Sequence, residues 1–261
     1  MKHFFCVLGQ DLRRTVLSWT FLVAVLGLAF VNVVSLFDEY QLFLEDTSIL
    51  YLEMLMGYRN FYMIFLLFAA LPGTTLFCSD WDNRYIRFSV MRSTKNAYAA
   101  GKVIACFLSA ILTVVLAEWL TVFAFSFQFD LYLPSDANGS FGAYQALVTP
   151  AGTPLYLTAT FLCKGFCAGA LSVFALWFST KVTNVFVTLA VPMLAYYLIQ
   201  VVGFATGMIP SYLSIDNLTK AHVDVGGPAL SLLYTIGIFT ALALLFGFLF
   251  VRSCKRRISN G

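Results

Sequence analysis

The chain has 261 residues, 60% of them hydrophobic and 11% charged, with a formal net charge of +3 and a mean hydropathy of +0.84. It is more apolar and less charged than soluble domains are. A soluble core for its 27 Phe and 13 Tyr is excluded by pattern, because the polar residues cluster between apolar blocks instead of recurring with helical period.

The first eighteen residues, MKHFFCVLGQDLRRTVLS, put Phe5, Leu8, Leu12 and Val16 at three- and four-residue spacing. Asp11, Arg13 and Arg14 fall mostly on other faces, so this stretch reads as an amphipathic helix lying on the inner leaflet. A hydrocarbon core of ~30 Å takes roughly 20 apolar residues to cross, and six stretches qualify. They are Trp19–Phe37, Phe61–Phe77, Lys102–Phe127, Leu155–Phe178, Val185–Gly207 and Ala229–Val251. The third, ~39 Å long if helical, must tilt or project. The first follows mixed residues and ends without a small-x-small site, so it is expected to stay as an anchor.

The expected fold is therefore an all-α integral membrane protein with six transmembrane helices. Thirteen cations, from Lys2, Arg13 and Arg14 to Lys255, Arg256 and Arg257, fall on one side, and only Arg59 and Lys220 on the other. Because Lys and Arg are retained inside, both termini are expected in the cytoplasm of a multi-pass cell-membrane protein. The outer loops are Asp38–Asn60, Gln128–Pro154 and Met208–Pro228, each short of an ordinary domain. The inner connection STKVTN is shorter still. All six cysteines lie in spans or on the inner side, which argues against an extracellular disulfide framework. Cys163 and Cys167, one turn apart with no nearby His, make a poor metal site.

Much chemistry is missing. Gly101 and Lys102 lack the earlier glycine and following hydroxyl of a phosphate-binding loop. His3 and His222 are far apart, and no Gly-x-Ser-x-Gly occurs, so neither a metal nor a catalytic relay is expected. Two charges remain inside spans, Glu118 and Lys164. Each lies nine residues from the outer end of its span, ~14 Å deep, so antiparallel neighbours would bring them together as a register-fixing pair or as part of a substrate route. Glycines four apart, Gly165 with Gly169 and Gly203 with Gly207, predict close helix approach, and Pro192 predicts a kink in the fifth span.

The stretch CSDWDNRYIRFSVMRSTKNAYAAGKV, residues 78–103, is the main inner loop. Asp80 and Asp82 come first, and Arg84, Arg87, Arg92 and Lys95 then alternate with Tyr85, Ile86, Phe88, Val90 and Met91. A helix opening near Asp82 would match its dipole, and Ser93 and Thr94 offer a second cap before the third span. In this order of features the chain resembles the six-span permease subunits of ABC transporters of the ABC-2 type. In that family the corresponding loop opens on an acidic residue and closes on a Thr-Lys-x-x-Tyr-x-x-x-Lys-like step, here Thr94, Lys95, Tyr98 and Lys102.

The resemblance implies a coupling helix docking on a separate ATP-binding subunit. Its residues would be Asp80, Asp82, Arg84, Tyr85, Arg87, Phe88, Arg92, Lys95 and Tyr98. It further implies a transport subunit, not an enzyme, that binds no cofactor itself, with ATP and Mg on the partner. A second permease copy or paralogue is expected, and no nucleic acid. The cargo would be amphipathic or hydrophobic, such as a peptide, drug or lipid-linked molecule. The competing classes are a stand-alone secondary carrier, which should show repeats or broken helices, and an intramembrane enzyme, which has only Glu118 to work with.

Overall fold

The computed structural model describes residues 2–36, 47–58, 62–86, 94–203, 206–220 and 222–260. Among them the regular structure is helical, with no strand, as a lipid-spanning chain without a closed barrel requires. Helix α1 runs Lys2–Val16 and α2 Trp19–Ser35. Ser18 separates them in an extended conformation, its hydroxyl accepting from the Phe21 amide, and the two axes meet at 50°. That cap ends one helix and starts the next, so α1 angles away from the α2 axis instead of continuing it.

Helix α3 covers Ile49–Tyr58, α4 Tyr62–Thr74 and α5 Leu76–Asp82. The 46° bend between α4 and α5 follows Pro72, whose missing N–H cannot close the backbone ladder. Thr74 bonds back to the Ala70 carbonyl at 2.8 Å beside the break. Helix α6 spans Lys95–Phe125, capped by the Thr94 hydroxyl on the Ala97 amide, so it starts a full two turns before the expected boundary at Lys102. Helix α7 is Thr153–Ser179, α8 Val185–Tyr197 and α9 Ile215–Thr219, and α10 runs Pro228–Asn260, well past Val251.

By length and hydropathy, α6, α7, α10 and α8 with its extension to Gly203 are each able to cross a membrane. The bent pairs α1–α2 and α4–α5 raise the candidates to six if each is one span.

Helices α6 and α7 form the centre, with α2, α4 and α10 against them and α8 outside on α4 and α7. The α6–α7 seam is tight because Gly165 and Gly169 face it. A Cβ at Gly165 would sit 3.5 Å from the Ile111 Cα, and one at Gly169 only 2.8 Å from the Phe107 ring. The second glycine pair does something else. Helix α8, with Pro192 inside, widens into a π turn at Leu198–Gly203. Gly203 then abuts Ile209, while Gly207 turns the chain with φ +67°. The expected close helix approach at Gly203 and Gly207 is thus corrected: the periodicity ends where the ladder ends.

A large side chain at Gly169 should overpack the central seam, costing roughly 1–3 kcal/mol. Thermal unfolding in detergent should show Gly169→Leu well below the parent, whereas Gly237→Leu, at a position with open space, should match it; equal midpoints would contradict this packing.

Candidate functional site

Ionisable groups gather at two places along α6. At the end of the bundle that carries both chain termini, Lys102 is 1% exposed. Its Nζ lies 2.7 Å from Asp11 Oδ1 on α1 and 2.7 Å from Asp80 Oδ2 on α5. Asp80 is completely buried. It also takes an ion pair from Arg14 and a 2.9 Å hydrogen bond from the Tyr98 hydroxyl. Two carboxylates and two cations therefore balance in one knot that ties α1, α5 and α6, with only Arg14 reaching solvent. Such pairing makes buried charge tolerable, although the second Asp11 oxygen, Oδ2, is buried without a hydrogen-bond partner among the described residues.

The knot redistributes the residues expected to couple to a partner. Asp80 and Tyr98 do not present a docking face, because both are buried and engaged with each other. Asp82, Arg84, Tyr85 and Lys95 are exposed around them, and the Arg14 guanidinium stands 5.7 Å above the Tyr85 ring. Asp82 is the last residue of α5, not the opening of the next helix. Arg84 adopts φ 56°, a left-handed turn that separates α5 from Tyr85 and Ile86. Arg87, Phe88 and Arg92 lie outside the described residues.

The second gathering is toward the far end of α6. Lys164 on α7 lies 3.1 Å from Glu118 Oε1 on α6 and 2.8 Å from Glu53 Oε1 on α3. Asn32 on α2 donates to the other Glu118 oxygen at 3.1 Å and to Thr121 at 3.4 Å. Lys164, Glu118 and Glu53 are all at most 5% exposed. One ammonium between two carboxylates leaves one negative charge in excess when all three are ionised. Glu53 lies in the stretch read as the first outer loop. Helix α3 carries it inward, held by the Ile49 amide on the Asp130 carbonyl at 2.9 Å and the Tyr51 amide on the Ser48 hydroxyl.

Beside Glu53 and Lys164 is a small polar cavity of about 20 Å³, also lined by Tyr156, Thr160, Lys220 and His222. That is room for a single water. Loss of hydration lowers the His222 pKa below its usual value, and the Lys220 charge lowers it further. Close by in sequence, Asp224 is held below the usual carboxylate range by the amides of Gly226 and Gly227, which its Oδ1 accepts at 2.9 and 3.0 Å.

Among the described residues no three His, Cys, Asp or Glu side chains converge in a way that would hold a metal, and Cys163 and Cys167 are buried thiols outside any disulfide. Sequence reasoning names Lys102 only as the close of the loop's last step, and gives Asp11, Arg14 and Glu53 no place in a site. Asp11 and Arg14 share a face of α1, a weak signal, while nothing local marks Glu53. No protein-family model, curated protein or solved structure matches this chain.

Removing Lys164 strands two buried carboxylates. Lys164→Leu should destabilise by about 3–5 kcal/mol, and adding Glu118→Leu and Glu53→Leu should recover much of that loss. Thermal unfolding of the single and triple variants in detergent tests this, and a triple variant as unstable as the single one would break the triad assignment.

Proposed function

We propose that this chain is the membrane permease subunit of an ABC-2 type exporter, with each bent helix pair counted as one of six spans. Both termini and the loop at residues 78–103 would face the cytoplasm of a bacterial plasma membrane. A separate ATPase subunit would hold ATP and Mg, and a second permease copy or paralogue would complete the transporter. The cargo would be amphipathic or hydrophobic: a peptide, drug or lipid-linked molecule.

One observation carries this reading. An exposed rim of Arg84, Tyr85 and Lys95 surrounds a carboxylate, Asp80, that is fully buried and bonded to α1 and α6. Aromatic and arginine side chains are the groups that dominate protein docking energies. A rim fixed by buried ion pairs transmits displacement to α6 instead of bending locally. ATP-driven closure of two partner subunits would then shift α6 between inward- and outward-facing arrangements.

A second reading, a secondary carrier, is favoured by the excess carboxylate of Glu53, Lys164 and Glu118 beside a water-sized cavity. Such a site suits proton exchange in a gradient-driven transporter.

The two readings differ in energy source and in the residues they need. Combining Arg84→Glu with Tyr85→Ala should weaken co-purification with the proposed ATPase subunit by roughly tenfold or more and abolish ATP-dependent transport. Unchanged association and transport would reject the docking assignment, and transport driven by a proton gradient without the ATPase would establish the carrier.

A further inference from the structure

A basic cleft lies at the terminus-bearing end, on the side formed by α5, the turn after α7 and the last third of α10. It encloses about 580 Å³ and is lined by Trp81, Trp177, Lys181, Leu249, Arg252 and Arg256, with Thr180 and Arg257 closing one wall. Arg257 is fixed there. Its Nη1 donates to the Thr180 carbonyl at 2.6 Å, and its guanidinium stacks 4.2 Å from the Trp81 ring centre.

The other three cations have no such partners. Lys181, Arg252 and Arg256 are exposed, and among the described residues none of them forms an ion pair with a carboxylate. Arg252 and Arg256 stand one turn apart on the same face of α10, a like-charge spacing that disfavours a helix. Among the described residues four cations thus converge on a cleft with no carboxylate in its lining, and Leu249 supplies an apolar wall.

We propose that this cleft binds the headgroup of an anionic phospholipid. Helix α10 runs apolar up to Val251 and basic from Arg252, so the cleft sits where a bilayer's hydrocarbon gives way to its phosphates. The two indole rings flank that boundary, the depth at which Trp is enriched in membrane proteins. Arginines take phosphate oxygens through paired N–H donors, and basic pockets between helices at this level are suited to acidic headgroups. The phosphate would lie between Arg252, Arg256 and Lys181, with the fixed Arg257 as the back wall and the acyl chains running down past Leu249. A zwitterionic headgroup offers the same phosphate but brings a cation into a cleft that already holds four. A docked protein would not need the apolar floor to open toward lipid.

The inference does not rest on the proposed function, since the cleft residues are distinct from Arg84, Tyr85 and Lys95. The test is native mass spectrometry of the full chain in detergent, supplied with equimolar phosphatidylglycerol and phosphatidylcholine. Phosphatidylglycerol adducts should dominate, and brominated phosphatidylglycerol should quench tryptophan fluorescence more than its phosphatidylcholine counterpart. At about fivefold per cation, Arg252→Gln with Arg256→Gln should reduce the preference roughly twentyfold, and Lys181→Gln alone roughly fivefold. Both variants alter exposed side chains and should keep the parent's unfolding midpoint in phosphatidylcholine. Equal retention of the two lipids, or an undiminished preference in the double variant, would overturn the proposal. Glycerol phosphate retained as tightly as the lipid would overturn it too, by making the ligand a free phosphate.

Discussion

A charge taken out of water must find its opposite, and in a bundle this apolar few places allow it. Lys102 is the clearest case. It sits on the central helix with almost no solvent contact, and it is tolerable only because Asp11 and Asp80 come to it from two other elements. Those contacts decide where α1 lies and where α5 stops. The bend after Pro72 aims α5 at Lys102, and the bend at the Ser18 cap lets α1 reach the same point. The chain therefore leaves the bundle after α5 from a fixed origin.

Helix α6 carries both charge clusters, Lys102 near one end and Glu118 ~24 Å further along. Each is wired to different neighbours: α1 and α5 at the first, α2, α3 and α7 at the second. A displacement of α6 along its axis would strain both sets at once, because ion pairs in low dielectric have few alternative arrangements. In the proposed exporter this couples the exposed rim at Arg84 and Tyr85 to the Glu53–Lys164–Glu118 triad without any need for the intervening apolar seam to deform. The close packing of Gly165 and Gly169 on α6 makes α7 a rigid companion in that movement.

An all-helical chain with several apolar helices long enough to cross a membrane is legible in the sequence, because the cost of exposing backbone to lipid forces long apolar runs. Glu118 and Lys164 were legible for a related reason, since an ionisable residue within a run demands a partner and equal depths from the same face narrow the choice. What stayed hidden were the contacts between a run and something outside it. Asp80 follows a span and is surrounded by polar residues, so it reads as solvated. Its burial depends on Lys102 and Arg14, which no local spacing ties to it. Glu53 sits in a short helix between two stretches that look like loop, and only the folding of α3 against Asp130 takes it inward. Helix ends were misread by several residues wherever a cap or a π turn, not hydropathy, sets the limit, as at Thr94 and Leu198.

The most direct test of this account is hydrogen exchange in α1 of a Lys102→Met variant in lipid nanodiscs. Loss of the shared cation leaves Asp11 without its ion-pair partner and Asp80 with Arg14 as its one remaining cation, so amides of Lys2–Val16 should exchange much faster than in the parent, while those at the centre of α7 stay protected. Adding Asp11→Asn and Asp80→Asn should restore part of the protection. Unchanged protection of α1 in Lys102→Met would contradict the claim that this ion-pair knot holds the helix and the loop as one body.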